Sequence, residues 1–81
     1  MKSSEILLTL ECAELLVWTV GKGTYCVKYD HSDVKDGDVL VSTFGRGTDF
    51  ETACEDYLNK IRGKTLVFNH FGKNKEVTVL G

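Results

Sequence analysis

The chain has 81 residues, with 10 Lys and Arg against 12 Asp and Glu, a formal net charge of −2 at pH 7 and no proline. That length supports one modest core and excludes two domains, and the slight acidic excess excludes bulk electrostatic attraction to nucleic acid. The longest apolar region, residues 6–20, is broken by Glu11 and Glu14, so no run reaches membrane-spanning length.

Residues 4–14 read two ways. Ile6, Leu7, Leu10 and Ala13 suit one helical face, whereas Ile6, Leu8, Leu10 and Cys12 alternate as in a strand; a short helix is the expectation. Residues 15–20 and 24–30 are apolar-rich runs flanking Gly21-Lys22-Gly23, which predicts a β-hairpin. Asp36-Gly37-Asp38 reads as a turn, and residues 39–44 as a third strand feeding a bend at Gly45-Arg46-Gly47.

The strongest local signal follows. Phe50, Ala53, Cys54, Tyr57, Leu58 and Ile61 recur at spacings of three and four, predicting a helix over 49–62 with one apolar stripe. Thr48 and Glu51 have the spacing of a capping box, Asp49 and Glu51 place negative charge at the helix start, Lys60 and Arg62 place positive charge at its end, and Gly63 stops it. Residues 65–68 and 76–80 then read as a closing hairpin around a turn at 70–74. The expected fold is α+β: a single small domain, 1–81, with an antiparallel sheet of about five strands packed by the 49–62 helix and a short N-terminal helix.

Chemistry is thinly signposted. Cys12, Cys26 and Cys54 are an odd number without paired spacing, and Cys54 lies on the apolar stripe, so buried small hydrophobes are the expectation. Neither a zinc set drawn from these with His31 and His70, nor a cysteine nucleophile, has a supporting local pattern. The segment 30–38 superficially suggests calcium, but the twelfth position counted from Asp30 is Val41 rather than a bidentate glutamate. No catalytic residue, metal or cofactor is expected, and the chain reads as a non-enzyme.

Binding surfaces remain. Asp30, Asp33, Asp36 and Asp38 are turn aspartates or an acidic patch for a basic partner. Lys60, Arg62, Lys64, Lys73 and Lys75, joined by His70 and Phe71, form a basic strip with an interleaved aromatic that could meet phosphates and stack a base. Arg46 stands at a strand-to-helix junction where amides and the helix dipole favour anions, although Asp49 and Glu51 oppose one there. Among Trp18, Tyr25, Tyr29, Phe44, Phe68 and Phe71 some are expected to remain outside so small a core and anchor a partner. Edge strands could also pair across a two-fold axis to give a homodimer, with Trp18 or Phe71 at the interface.

The run TFGRGTDFETACEDYLNKIRGKTLVFN, about a third of the chain, resembles a pattern in small, largely uncharacterised accessory proteins of phages and mobile elements. More loosely, three strands followed by a helix opening TDFETACEDYLNKI resemble the partial dsRNA-binding-like fold of HicB-type antitoxins. The phage resemblance implies an anti-defence role, including anti-CRISPR inhibition, in the host cytoplasm with a host protein or ribonucleoprotein as partner. The function expected is therefore a protein-binding inhibitor or modulator, with Asp30, Asp33, Asp36, Asp38, Arg46, His70, Phe71, Lys73 and Lys75 as contact candidates. The alternative is a nucleic-acid or nucleotide binder using Arg46 and the 60–75 strip.

Overall fold

A computed structural model describes residues 2–10, 13–70 and 73–79, without the side chains of residues 70, 73 and 74. In chain order the elements are α1 (Ser3–Leu8), β1 (Leu15–Thr19), β2 (Tyr25–Tyr29), β3 (Ser32–Asp36), β4 (Val39–Val41), β5 (Gly45–Gly47), α2 (Phe50–Ile61), β6 (Thr65–His70) and β7 (Lys73–Thr78). The α+β architecture expected from the sequence is observed, with seven strands divided between two antiparallel sheets rather than about five in one. One sheet has the order β1-β2-β5 and the other β4-β3-β6-β7. No helix among the described residues is long and apolar enough to cross a membrane.

The division occurs between β2 and β3, where the chain leaves one sheet and enters the other through Asp30 and His31. His31 takes φ 57°, a left-handed conformation that a residue with a Cβ adopts at a cost, and its ring lies 3.1 Å from the Asp30 carboxylate. The expected Gly21-Lys22-Gly23 turn joins β1 to β2, with Gly21 at φ 64° and Gly23 at φ 79°. The Asp36-Gly37-Asp38 turn is also present, closed by the pairing of Asp36 with Val39. It joins β4 to β3, a strand in a segment read from sequence as turn-rich.

Helix α2 lies where predicted, and its buried residues are five of the six stripe positions: Ala53, Cys54, Tyr57, Leu58 and Ile61. Its cap differs from expectation. Asp49, not Thr48, is the N-cap: its carboxylate accepts the Thr52 amide at 2.7 Å. Glu51 is thereby free of its own helix, and it accepts from the amide and hydroxyl of Ser4 in α1 instead. Helix α1 is also shorter than residues 4–14.

The core forms where α2 meets β2, with Leu7 of α1 on one side and Val34, Leu66 and Phe68 of the second sheet on the other. Its polar members are satisfied internally. The Tyr57 hydroxyl accepts the Tyr29 amide at 3.1 Å, the Tyr29 hydroxyl donates to the Leu7 carbonyl at 2.6 Å, and Ser32 Oγ donates to the Tyr29 carbonyl at 2.6 Å. On the outer face of the second sheet, Val67 is buried beside Lys35 and Glu76, whose charged ends meet at 3.0 Å.

Candidate protein-interaction surface

The surface begins with two glycines. Gly45 and Gly47 both face α2, and a Cβ on Gly45 would lie 2.3 Å from the Ala53 carbonyl oxygen and 2.4 Å from Tyr57 Cβ. A Cβ on Gly47 would lie 2.5 Å from the Ala53 nitrogen. Their missing side chains therefore let β5 lie flush against the helix, which makes this segment a strand rather than the bend expected from sequence. Strand alternation then turns the intervening Arg46 away from the helix and outward.

Arg46 is held at its backbone. Its amide donates to Asp56 Oδ2 at 2.9 Å, and the same carboxylate takes Lys60 Nζ at 2.9 Å. Burial acts to raise the Asp56 pKa, but the bonds from Lys60 and the Arg46 amide outweigh it and hold the carboxyl below its ordinary value. The strand register places Arg46 opposite Cys26, and Cys26 opposite Trp18. These three share the outer face of the first sheet, and Cys26, between the two large side chains, is fully buried.

Trp18 reaches across to Phe44, the residue just before β5: their ring centroids are 5.8 Å apart at an interplanar angle of 47°. Trp18 is 37% exposed and Phe44 38%, so this aromatic contact forms outside the core. Lys60 links Phe44 to the helix by donating to its carbonyl at 3.1 Å while its ammonium stands 5.9 Å from the ring centroid. Beyond Phe44 lies an open groove of about 430 Å³ lined by Val34, Val41, Phe44, Asp36, Lys60 and Lys64. Exposed Leu16 and Val20 extend the apolar area beside Trp18, and exposed Val39 and Val41 extend it along β4, whose Leu40 faces the opposite side beside Lys35 and Val67. The result is an aromatic and aliphatic surface bordered by Arg46, Lys60 and Lys64, with Asp36 at one end.

The residues singled out from sequence are not gathered in one place. Asp30 lies in the corner between sheets beside His31; Asp33 stands on the outer face of β3, opposite Val67. Asp36 and Asp38 flank Gly37 at the far end of that strand, with Asp36 in the opposite strand phase to Asp33. The four aspartates do not form one continuous patch. Among the described residues, no group of three or more His, Cys, Asp and Glu is arranged to hold a metal. Lys60 and Lys64 meet at the groove, whereas Lys75 is exposed on β7. Phe71 and the side chains of His70 and Lys73 lie outside the described residues, as does Cys12.

At the Gly45-Arg46-Gly47 junction one of the amides an anion would use is already taken. At the start of α2 the Asp49 carboxylate already occupies the Thr52 amide, and the bonds from Thr52 hold its pKa down, so the site carries its own negative charge. Cys54 is no better placed for chemistry: burial, with Glu51 nearby, pushes its thiol up to about 11. The aromatic contact itself was open to a sequence reading only as part of a list. Trp18 and Phe44 were among the six aromatics named, but no periodicity separates them from Tyr29 and Phe68, which are buried.

No protein-family model, no curated protein and no solved structure matches this chain.

Proposed function

We propose that the chain is a non-enzymatic protein-binding domain whose contact surface is the Trp18–Phe44 patch, and that its partner presents apolar side chains bordered by carboxylates. The observation that carries this reading is the contact of two large aromatic side chains with each other at the surface rather than with the core. Aromatic and arginine side chains concentrate binding energy at interfaces, and here Trp18 and Arg46 stand on strands while Phe44, in the connection just before β5, is tied by its carbonyl to Lys60 and by its ring to Trp18. The bordering cations Arg46, Lys60 and Lys64 suit an acidic rim on the partner and would steer its approach. The buried, protonated Cys54 thiol and the internally satisfied hydroxyls of Tyr29, Tyr57 and Ser32 fit a scaffold better than a reaction centre.

Under this reading the resemblance to phage accessory proteins supplies the class of role. The domain would occupy a surface of a host defence machine, a protein or ribonucleoprotein, and inhibit or modulate it in the host cytoplasm. Capture from bacterial lysate by the wild type and by Trp18→Ala, with mass identification at low and high salt, tests the reading: a partner retained by the first and lost by the second supports it, and equal retention rejects it.

Nucleic acid is the second reading, favoured by the same cations beside exposed aromatic rings. It requires binding to single-stranded homopolymers that falls steeply as salt rises.

A further inference from the structure

Strand β4 is an unguarded edge of the second sheet. Among the described residues it pairs only with β3, so one side of its backbone faces no other strand. Its three side chains are all apolar and all exposed, Val39 at 61%, Leu40 at 50% and Val41 at 42%. Natural edges are ordinarily blunted by lysine, proline, a bulge or a covering segment, and β4 itself contains neither lysine nor proline. Being apolar on both faces, it suits a strand that continues the sheet more than a strand that ends it.

The charges around β4 indicate what continues it. Asp38 stands at the entrance of the strand; at its exit Ser42 Oγ accepts from Lys28 Nζ at 3.2 Å. The arrangement is acidic at one end and basic at the other. An antiparallel copy of the same strand, related by a two-fold axis at Leu40, opposes residue 38 with residue 42, 39 with 41, and Leu40 with itself. Each Asp38 is then brought to the Ser42–Lys28 end of the other chain, and the valines meet on the groove side. The interface is self-complementary, as a two-fold contact must be.

We propose that β4 pairs with β4 of a second copy of this chain, antiparallel about Leu40, joining the two four-stranded sheets into one continuous sheet. This pairing uses a different edge from the Trp18–Phe44 patch and does not depend on the function proposed for that patch. Because the strand is short, association is concentration-dependent rather than obligate.

Sedimentation velocity over a wide concentration range reads the association directly. The wild type should move from monomer towards dimer as concentration rises, and Leu40→Lys should stay monomeric with an unchanged circular dichroism spectrum. Disulfide trapping provides the second readout and decides the matter if Leu40→Lys fails to fold. Opposed residues of an antiparallel pair have Cα atoms roughly 4.5–5.5 Å apart, within the roughly 4.4–6.8 Å that a disulfide spans. On a Cys12→Ser background, with Cys26 and Cys54 buried, Leu40→Cys should oxidise to a covalent dimer much faster than Val20→Cys on exposed β1-side backbone. A wild type that is monomeric throughout, with no faster cross-linking at position 40 than at position 20, overturns the proposal. So does a dimer that survives Leu40→Lys, since its interface must then lie elsewhere.

Discussion

Glu51 caps a helix that is not its own: its carboxylate accepts from the Ser4 amide at 3.0 Å and from the Ser4 hydroxyl at 2.5 Å, tying the start of α2 to the first turn of α1. Lys2, at the N-cap position of α1, provides no side-chain bond, so Glu51 satisfies an amide that the short helix leaves open. The bonds from Ser4 hold the Glu51 pKa below its ordinary value of 4.5. A carboxyl depressed in the folded state stabilises it fully above the unfolded value and ceases to do so as pH falls through the lower, native one. Protection of the Ser4 and Ile6 amides from hydrogen exchange, taken relative to the intrinsic rate at each pH, should therefore fall in acid below the ordinary glutamate range, and Glu51→Ala should produce the same loss of protection at neutral pH.

Gly45→Ala should be among the most damaging single substitutions. The added carbon meets backbone atoms of Ala53 and Tyr57, which cannot rotate away, so β5 must separate from α2. A loss of about 3 kcal/mol or more in denaturant unfolding is expected, by analogy with overpacked cores. Gly37→Ala provides the contrast, having no heavy atom within 4 Å of the new carbon but a φ of +60°. Its cost should be only the left-handed penalty, about 1–2 kcal/mol.

Tyr57→Phe removes the acceptor of the Tyr29 amide without opening a large void. Burial already raises the Tyr57 pKa, so its hydroxyl is a neutral group in a dry setting. A loss of about 1–3 kcal/mol in the same unfolding measurement is expected.

Cys54 should resist thiol reagents in the native state. It is fully buried and its pKa is pushed up to about 11, so neither access nor thiolate is supplied near neutral pH. Peptide mapping after brief alkylation should find Cys54 unmodified in buffer and modified in denaturant.

Helix α2 was legible in the sequence because its stripe, charges and terminal glycine all agreed. The cap was displaced by one residue because Thr48 and Asp49 are both good N-cap types, and because Ser4, distant in sequence, claims Glu51. The two-sheet division was not legible: it turns on His31 in a left-handed conformation, which no glycine announces. Strand β5 was hidden for another reason. Gly-Arg-Gly has little preference for a strand, and becomes one only because bare backbone can press against α2. The aspartates looked like a patch because sequence proximity was read without the intervening strand, whose alternation sends Asp33 and Asp36 to different sides. Arg46 was identified as a contact candidate, but its alignment with Trp18 across Cys26 depends on a register that only the folded sheet supplies.

The central claim is that the Trp18–Phe44 patch binds a protein partner. Its most direct test is the affinity of the purified, captured partner for wild type and Trp18→Ala, measured by calorimetry alongside the thermal midpoint of each protein. Loss of a central aromatic anchor should weaken binding by about 2 kcal/mol, roughly thirtyfold in Kd, while the midpoint falls by the separate cost of uncovering Cys26 and leaves both proteins folded at the assay temperature. Equal affinities for the two proteins would contradict the account.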